Sequence, residues 1–361
     1  MIISRTPLRI SFFGGGTDYP SWYRQHGGAV LATTIDKYCY LTCRHLPPFF
    51  EHRFRVVYSK IEACQKVDQI THPAVREVLR HLGVDRGVEI HHDGDLPARS
   101  GMGSSSAFTV GLLHAIYALK GIMPSKEQLA RDGIHVEQER LKETVGSQDQ
   151  VAAAYGGLNV ITFAPSGAIA VRPVTLTPAR MQELNAHLML FYTGIQRTAA
   201  EVAGSYVAQI DDRRRQLRMM KDLVEESLEV LQGRQPIAGF GTLLHEAWDA
   251  KRSLSDRVSN AEVDEIYAIA RSAGALGGKL TGAGGGGFML LFVPPERHRQ
   301  VRAKLRQLIH VPFKLEFAGS QIIFFDPEED YSAEERSQKR RVARAFRELT
   351  DVEQDARRLL T

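Results

Sequence analysis

The sequence is short of the features that mark several large functional classes. It has three cysteines in 361 residues, Cys39, Cys43 and Cys64, and so odd and sparse a set builds no disulfide framework. Cys39 and Cys43 fall in an apparent strand, which argues against a metal centre there. No apolar run reaches the length of a bilayer span, and the opening residues carry no signal-peptide pattern, so a cytoplasmic protein without a membrane partner is expected. Charge of one sign is not concentrated. The 46 Lys and Arg against 42 Asp and Glu leave a net +4 spread along the chain, without the basic stripe of a nucleic-acid binder. Lys339-Arg340-Arg341 sits in a charge-rich tail from Glu328 that reads as a solvated terminal helix. Internal repeats are absent, and the only biased segment is a glycine tract at residues 274–287. What is present is ordinary globular material, 43% hydrophobic and 24% charged, and its length suits two domains.

The most informative stretch is residues 95–120. Pro97 and the glycines of Arg99-Ser100-Gly101-Met102-Gly103 form a loop, Ser104 is a good N-cap, and Ala107 to Leu119 is apolar nearly all round, as in a buried helix. Gly121 stops that helix. Either the glycines and serines make a tight turn before a core helix, or Ser104, Ser105 and Ser106 present free amides and the helix dipole to an anion.

A strand from Ile2 to Phe13 ends at Gly14-Gly15-Gly16-Thr17-Asp18. The glycines bring backbone close to something and aim Thr17 and Asp18, unless the stretch is a simple turn with a solvated Asp18. Further strands are expected at Gly28 to Leu41, Phe54 to Tyr58 and Val88 to His92, with a helix at Pro73 to Leu82. Ser125 opens a helix that places Ala130, Ile134, Glu137 and Leu141 on one face. Glu137 therefore lies on an apolar stripe and needs a cation, either an Arg or Lys or a Mg²⁺ ion. Asp149, in Gly146-Ser147-Gln148-Asp149-Gln150, opens another buried segment and is a second inward carboxylate.

The character changes near residues 175–185. Thr175 to Pro178 reads as a linker, and strand–helix–helix–strand–helix–strand material follows, with helices at about Thr198–Leu231, Ile237–Leu254 and Ala261–Ala273 and a last strand at Ile322–Phe325. An α+β chain with domains at 1–180 and 181–327 and a charged tail at 328–361 is expected. Gly274 to Leu280 fails as a Walker loop, because residue 273 is Ala and Leu280 stands where Ser or Thr is required. Gly282 to Gly287 precedes a strand, not the helix that a dinucleotide fingerprint requires.

Three separated motifs remain: Pro7-Leu8-Arg9 with Gly14-Gly15-Gly16-Thr17-Asp18, Leu96-Pro97 to Ala107, and Lys279-Leu280-Thr281-Gly282 to Gly287-Phe288. In this order they resemble the GHMP small-molecule kinase superfamily, over roughly residues 3–326. Within it the chain is most similar to the kinases of heptose 7-phosphate, on the glycine triplet before Thr17-Asp18, Gly146 to Gln150, Phe191 to Arg197, and Leu244 to Trp248 with Lys251-Arg252. Fucose kinases share much of the pattern.

The resemblance implies a ribosomal protein S5 domain 2-like N-terminal domain, a ferredoxin-like C-terminal domain and an active site between them. It implies ATP and Mg²⁺ as cofactors, a phosphorylated sugar as small-molecule partner, and leaves a homodimer open. Pro97, Arg99, Ser100, Gly101, Met102, Gly103, Ser104, Ser105 and Ser106 would wrap the ATP phosphates with Gly284 and Gly285. Ser105 and Glu137 would hold Mg²⁺. Glu137 stands twelve positions before Asp149 and Arg9 nine before Asp18, as in galactokinase-like members. That makes Asp149 the base and Arg9 its neighbour. Gly14, Gly15, Gly16, Thr17, Asp18 and Gly282 would bind the sugar, and Arg197, Lys251 and Arg252 its phosphate. Galactokinases carry Glu and His where this chain has Gly15 and Gly16, which leaves room for a different sugar.

Overall fold

The computed structural model describes residues 1–98, 100–195 and 210–326, with Val202, Gly204, Ser205, Tyr331 and Glu334. Arg99, Arg197, the first turns of the helix expected from Thr198 and most of the charged tail lie outside the described residues.

The first part of the chain supplies β1 (Ile2–Phe13), α1 (Pro20–His26), β2 (Gly28–His45), β3 (Phe54–Val57), β4 (Ile61–Cys64), α2 (Pro73–His81), β5 (Val88–Gly94), α3 (Ser104–Leu119), α4 (Lys126–Ile134), α5 (Gln148–Tyr155), β6 (Asn159–Phe163) and β7 (Ile169–Pro173). Its strands form one sheet in which β1 and β2 are central, and every pairing except β3 with β5 is antiparallel. The alternation seen in β1 gives way to burial on both faces after Thr6: α3 already covers the face of Ser4 and Thr6, and α5 and two helices of the second part also pack on the strand. Gly111 lets the helix sit that close, since a Cβ on it would lie 2.7 Å from Thr6 Oγ1. The low amphipathicity of α3 follows from being enclosed: Ala107 to Leu113 are all buried.

The second part supplies α6 (Pro178–His187), β8 (Leu188–Tyr192), α7 (Arg214–Gln232), α8 (Ala238–Arg252), α9 (Ala261–Ser272), β9 (Gly277–Leu280), β10 (Phe288–Phe292), α10 (His298–Lys304), β11 (Ile309–His310), β12 (Leu315–Glu316) and β13 (Gln321–Phe325). A four-stranded antiparallel sheet in the order β11-β8-β10-β9 is its centre. Phe240 of α8 packs edge-on against Phe12 and Phe13 of β1, with ring centroids 5.3 and 5.1 Å apart, so the two parts share an apolar seam.

Several expectations need correction. The last strand does not join the second sheet. It pairs with β1, Ile2 opposite Phe325, and β12 pairs with β2, so residues 315–325 return to the first sheet and cover the edge of β1. The apparent linker at Thr175 to Pro178 is a helix start: Thr177 accepts from the Arg180 amide and Pro178 opens α6. Ser104 is the first residue of α3, and its N-cap is Gly103 in the left-handed region at φ 72°. Part of the glycine tract is strand β9, and β4, β6 and β7 went unread. Ser125 caps α4 as expected, its hydroxyl accepting from the Gln128 amide.

Candidate active site

Three loops converge where the two parts meet: residues 14–19 after β1, residues 100–103 before α3, and residues 281–287 between β9 and β10. Together with the residues leading into α5 they enclose a cavity of about 390 Å³. Glycine makes the contact of the last two loops possible. Gly101 has φ +79° and its absent Cβ would fall 2.7 Å from Thr281 O, while one on Gly282, φ +64°, would fall 2.6 Å from Gly101 Cα. The uncapped first turn of α3 opens into the cavity, with Ser104, Ser105 and Ser106 at its wall.

Arg9 and Asp149 form the centre of this wall. Arg9 Nε donates to Asp149 Oδ1 at 2.6 Å and Nη2 to Oδ2 at 2.5 Å, a bidentate pair. Arg9 Nη1 also donates to Gly101 O at 2.7 Å, which ties the pair to the glycine loop. The Asp149 side chain stays 23% exposed toward the cavity. Its neighbour Asp18 is buried under it. Asp18 Oδ1 accepts from the Gly16 amide at 2.9 Å, and Oδ2 accepts from the Gln148 amide at 3.3 Å. Burial pushes the Asp18 carboxyl above the ordinary range, and the nearby Asp149 charge adds to this, while the two amides pull it back.

Glu137 lies on a π-helical turn, His135–Arg140, that continues α4 and swings the carboxylate inward. It is completely buried, and Oε2 accepts from Ser106 Oγ at 2.9 Å and Gln150 Nε2 at 2.5 Å. Burial raises its carboxyl to about 7 against those two hydrogen bonds. Among the described residues no Arg or Lys answers it: Oε1 has no partner although it belongs to a residue lining the cavity. Glu137 and the Ser105 hydroxyl, on the same wall, are hard oxygen donors, few in number. That fits Mg²⁺, which takes one or two protein ligands and otherwise waters and phosphate oxygens. Among the described residues no three His, Cys, Asp or Glu gather into a site that would suit a structural metal. The side chain against Glu137 is Ser106, while Ser105 is exposed to the cavity.

Two buried lysines complete the floor. Lys251 of α8 donates to Leu280 O at 3.2 Å and also to Gly282 O, and Lys279 of β9 donates to Phe12 O at 2.8 Å. Neither has a carboxylate at ion-pair distance among the described residues. Burial lowers Lys279 to about 7, with Arg9 adding repulsion, and burial with Lys279 and Arg9 takes Lys251 well below the lysine range.

Of the expected site residues, Arg9, Gly15, Gly16, Asp18, Gly101, Gly103, Ser104, Ser105, Ser106, Glu137, Asp149, Lys251 and Gly282 line one cavity. Others do not face it. Thr17 is turned inward, bonded to Gly14 O and Ala29 O, and Gly14 packs against Ala29 O, so both shape the loop. Ser100 and Met102 are buried beneath the loop and Pro97 is exposed. Gly284 and Gly285 lie against Val258, the Gly285 amide donating to its carbonyl at 2.8 Å. Arg252 turns to Asp264, 2.9 Å away, outside the cavity. Sequence reasoning missed Ser11, Gln148 and Lys279 as lining residues. The motif containing Lys279 was legible, but a single strand lysine carries no signal of which way it points. A second concavity of about 500 Å³ on α7 carries Arg214, Arg218, Asp222 and Glu226. It is open and lies mostly along one helix, without the converging glycine loops and buried charged groups of the inter-loop cavity. No helix among the described residues is long and apolar enough to cross a membrane.

Comparison with known proteins fits this geometry. Residues 69–157 match the family model described as GHMP kinases N terminal domain, and residues 219–310 match GHMP kinases C terminal. A D-glycero-alpha-D-manno-heptose 7-phosphate kinase from Campylobacter jejuni is 30% identical over 85% of this chain and 93% of its own length. A bifunctional fucokinase/GDP-fucose pyrophosphorylase from Arabidopsis thaliana is 25% identical over 83% of this chain but 31% of its own. Among solved structures, a D-glycero-D-manno-heptose 1-phosphate kinase from Bacteroides thetaiotaomicron superposes with TM-score 0.75 at 22% identity, covering 91% of this chain and 100% of that one. Lactococcus lactis galactokinase superposes with TM-score 0.67 at 17% identity over 90% and 95%. At these identities the two structures speak for the fold.

Proposed function

The chain belongs to the GHMP kinase family, and from that membership we propose that it is an ATP-dependent kinase phosphorylating the anomeric C1 hydroxyl of D-glycero-D-manno-heptose 7-phosphate. The product is the 1,7-bisphosphate, a precursor suited to nucleotide-activated heptose and surface polysaccharide. Its relatives support a phosphotransferase with an alcohol acceptor and a sugar kinase in particular. The heptose rests on the relative named for that substrate and on the room left by Gly15 and Gly16.

The observation that carries the reading is the Arg9–Asp149 pair facing the open first turn of α3 across one cavity. Phosphoryl transfer asks the protein for positioning and charge neutralisation more than for covalent chemistry. Arg9 occupies one lone-pair site on each Asp149 oxygen and fixes the plane of the carboxylate, which leaves acceptor capacity for a substrate hydroxyl. Asp149 takes the proton of that hydroxyl as the oxygen attacks the terminal phosphorus of ATP and ADP leaves in line. The amides of the α3 first turn and the Arg9 guanidinium are placed to balance the charge that builds on the transferring phosphoryl oxygens. Mg²⁺, when bound with ATP, would be held by Glu137 and Ser105 and would neutralise phosphate charge. Asp18, Gly15 and Gly16 line the side of the cavity assigned to the sugar, and Lys251 is assigned to the phosphate it already carries. The domain division near residue 180 then separates the loop that wraps ATP from the floor that completes the sugar site.

The test is ADP release from ATP and Mg²⁺ across seven- and six-carbon sugars, with and without a terminal phosphate. Heptose 7-phosphate should have the highest kcat/KM. Preference for unphosphorylated fucose or galactose would transfer the assignment to those kinases, and no turnover with any sugar would remove it.

A further inference from the structure

Two side chains beside the Gly14-Gly15-Gly16 loop each hold a polar atom with no partner among the described residues. Ser11 Oγ, near the end of β1, and Gln148 Oε1, at the start of α5, are buried and make no hydrogen bond. Both residues are 8% exposed, and both line the cavity. An unanswered buried polar atom is destabilising, so two on one wall point to a ligand that answers them.

They flank the same gap. A Cβ built on Gly15 would lie 3.4 Å from Ser11 Oγ and 3.5 Å from Gln148 Nε2. Gly14 and Gly16 adopt φ of +79° and +106° and need glycine for their backbone, but Gly15 is not among the positive-φ residues. Its missing side chain therefore has no conformational reason. The reason is space: any side chain at position 15 would fill the volume between the serine hydroxyl and the carboxamide.

We propose that Ser11, Gly15 and Gln148 form a hydroxyl-binding subsite that receives a vicinal pair of sugar hydroxyls and decides which sugar enters. The subsite rests on the sugar-kinase reading of this cavity. Its chemistry selects a diol over a phosphate. A serine hydroxyl and a carboxamide each donate and accept, as do two neighbouring alcohols. A phosphate could accept from Ser11 and from Gln148 Nε2 but has no proton to give Gln148 Oε1, which would stay unanswered. Asp18, buried on the same cavity wall, adds a further acceptor and disfavours an anion at this end.

The experiment compares wild type, Ser11→Ala and Gly15→Ala with D-glycero-D-manno-heptose 7-phosphate and its 2-, 3- and 4-deoxy analogues, by ADP release and thermal unfolding. Ser11→Ala should raise the sugar KM about tenfold, the worth of one hydrogen bond, with kcat within about twofold. That penalty should vanish on the one analogue that lacks the bonded hydroxyl. Tm should hold or rise, because an unanswered buried hydroxyl has been removed, whereas a structural serine would lower it. Gly15→Ala should raise the sugar KM at least as much with the ATP KM unchanged. Wild-type sugar KM in both variants, an equal Ser11→Ala penalty on every analogue, or a lowered Tm in Ser11→Ala would each overturn the subsite while leaving the kinase standing. Wild type inactive on every sugar would overturn the kinase reading, and the subsite with it.

Discussion

Replacing Glu137 by Gln should make the protein more stable at alkaline pH and less active. The wild-type carboxyl titrates at about 7 in the fold, against 4.5 for an ordinary glutamate. A raised carboxyl stabilises the native state fully below the unfolded value, and that stability drains away as pH rises through the folded value. The window is therefore pH 4.5 to 7. Each pH unit within it is worth about 1.36 kcal/mol, so between pH 5 and pH 8 the wild type should lose about 2 to 3 kcal/mol relative to a neutral side chain. The Gln amide keeps an oxygen for Ser106 and Gln150 and titrates nowhere. Lys279, lowered to about 7, runs the other way, losing stability as pH falls from its ordinary range toward 7. It is present in both proteins and cancels in the difference. The assay is thermal unfolding of both proteins in metal-free buffer from pH 5 to pH 8. For a chain of this length that corresponds to a few degrees, so Glu137→Gln should match wild type near pH 5 and stand about 3 °C above it at pH 8. Parallel pH curves would refute the reasoning, because they would mean that Glu137 is answered by a group in the protein and does not await a cation. The stabilised variant should also lose its response to Mg²⁺, the expected mark of a residue strained for function.

Other outcomes follow from the same geometry. Asp149→Asn keeps shape but removes the proton acceptor, so kcat should fall about a hundredfold or more with ATP binding near wild type, measured by single-turnover kinetics and nucleotide titration. Lys251→Met should raise the KM for the phosphorylated sugar about tenfold or more, since it removes a charge-assisted contact, whereas Arg252→Ala, which breaks an exposed pair with Asp264, should leave that KM unchanged. Gly282→Ala places a methyl 2.6 Å from Gly101 Cα at a left-handed φ, so it should both lower Tm and weaken ATP binding, seen together in thermal shift with and without nucleotide.

Local chemistry made much of the fold legible. The β1 pattern, the α3 run closed by Gly121 and the Ser125 cap are decided within a few residues of themselves, and each appears where it is expected. What went unread depends on partners far away in the chain. Residues 321–325 look like any short strand, and only pairing with residues 2–5 places them in the first sheet. The candidate site divides in the same way. Glu137 was legible as an inward carboxylate because helical spacing put it on an apolar face, and the structure adds that no cation among the described residues answers it. The two arginines at expected contact positions, Arg9 and Arg252, cannot be told apart by type. Arg9 is drawn in because Asp149 and Gly101, 140 and 92 residues further along the chain, meet it at the cavity wall, and Arg252 is drawn out by Asp264, one helix away. Ser11 carries no sequence signal and Gln148 is legible only as a member of the Gly146 to Gln150 motif, since the significance of both side chains lies in the partners they lack.

The most direct test is to locate the phosphate transferred by the wild type and by Asp149→Asn, using phosphorus NMR on reactions of ATP and Mg²⁺ with heptose 7-phosphate. The wild type should yield a single new phosphate on the anomeric C1 oxygen, and the variant should leave the sugar unchanged over the same period. A new phosphate formed equally fast by Asp149→Asn, or placed on a hydroxyl other than C1, would contradict the assignment of this cavity and its carboxylate to anomeric phosphoryl transfer.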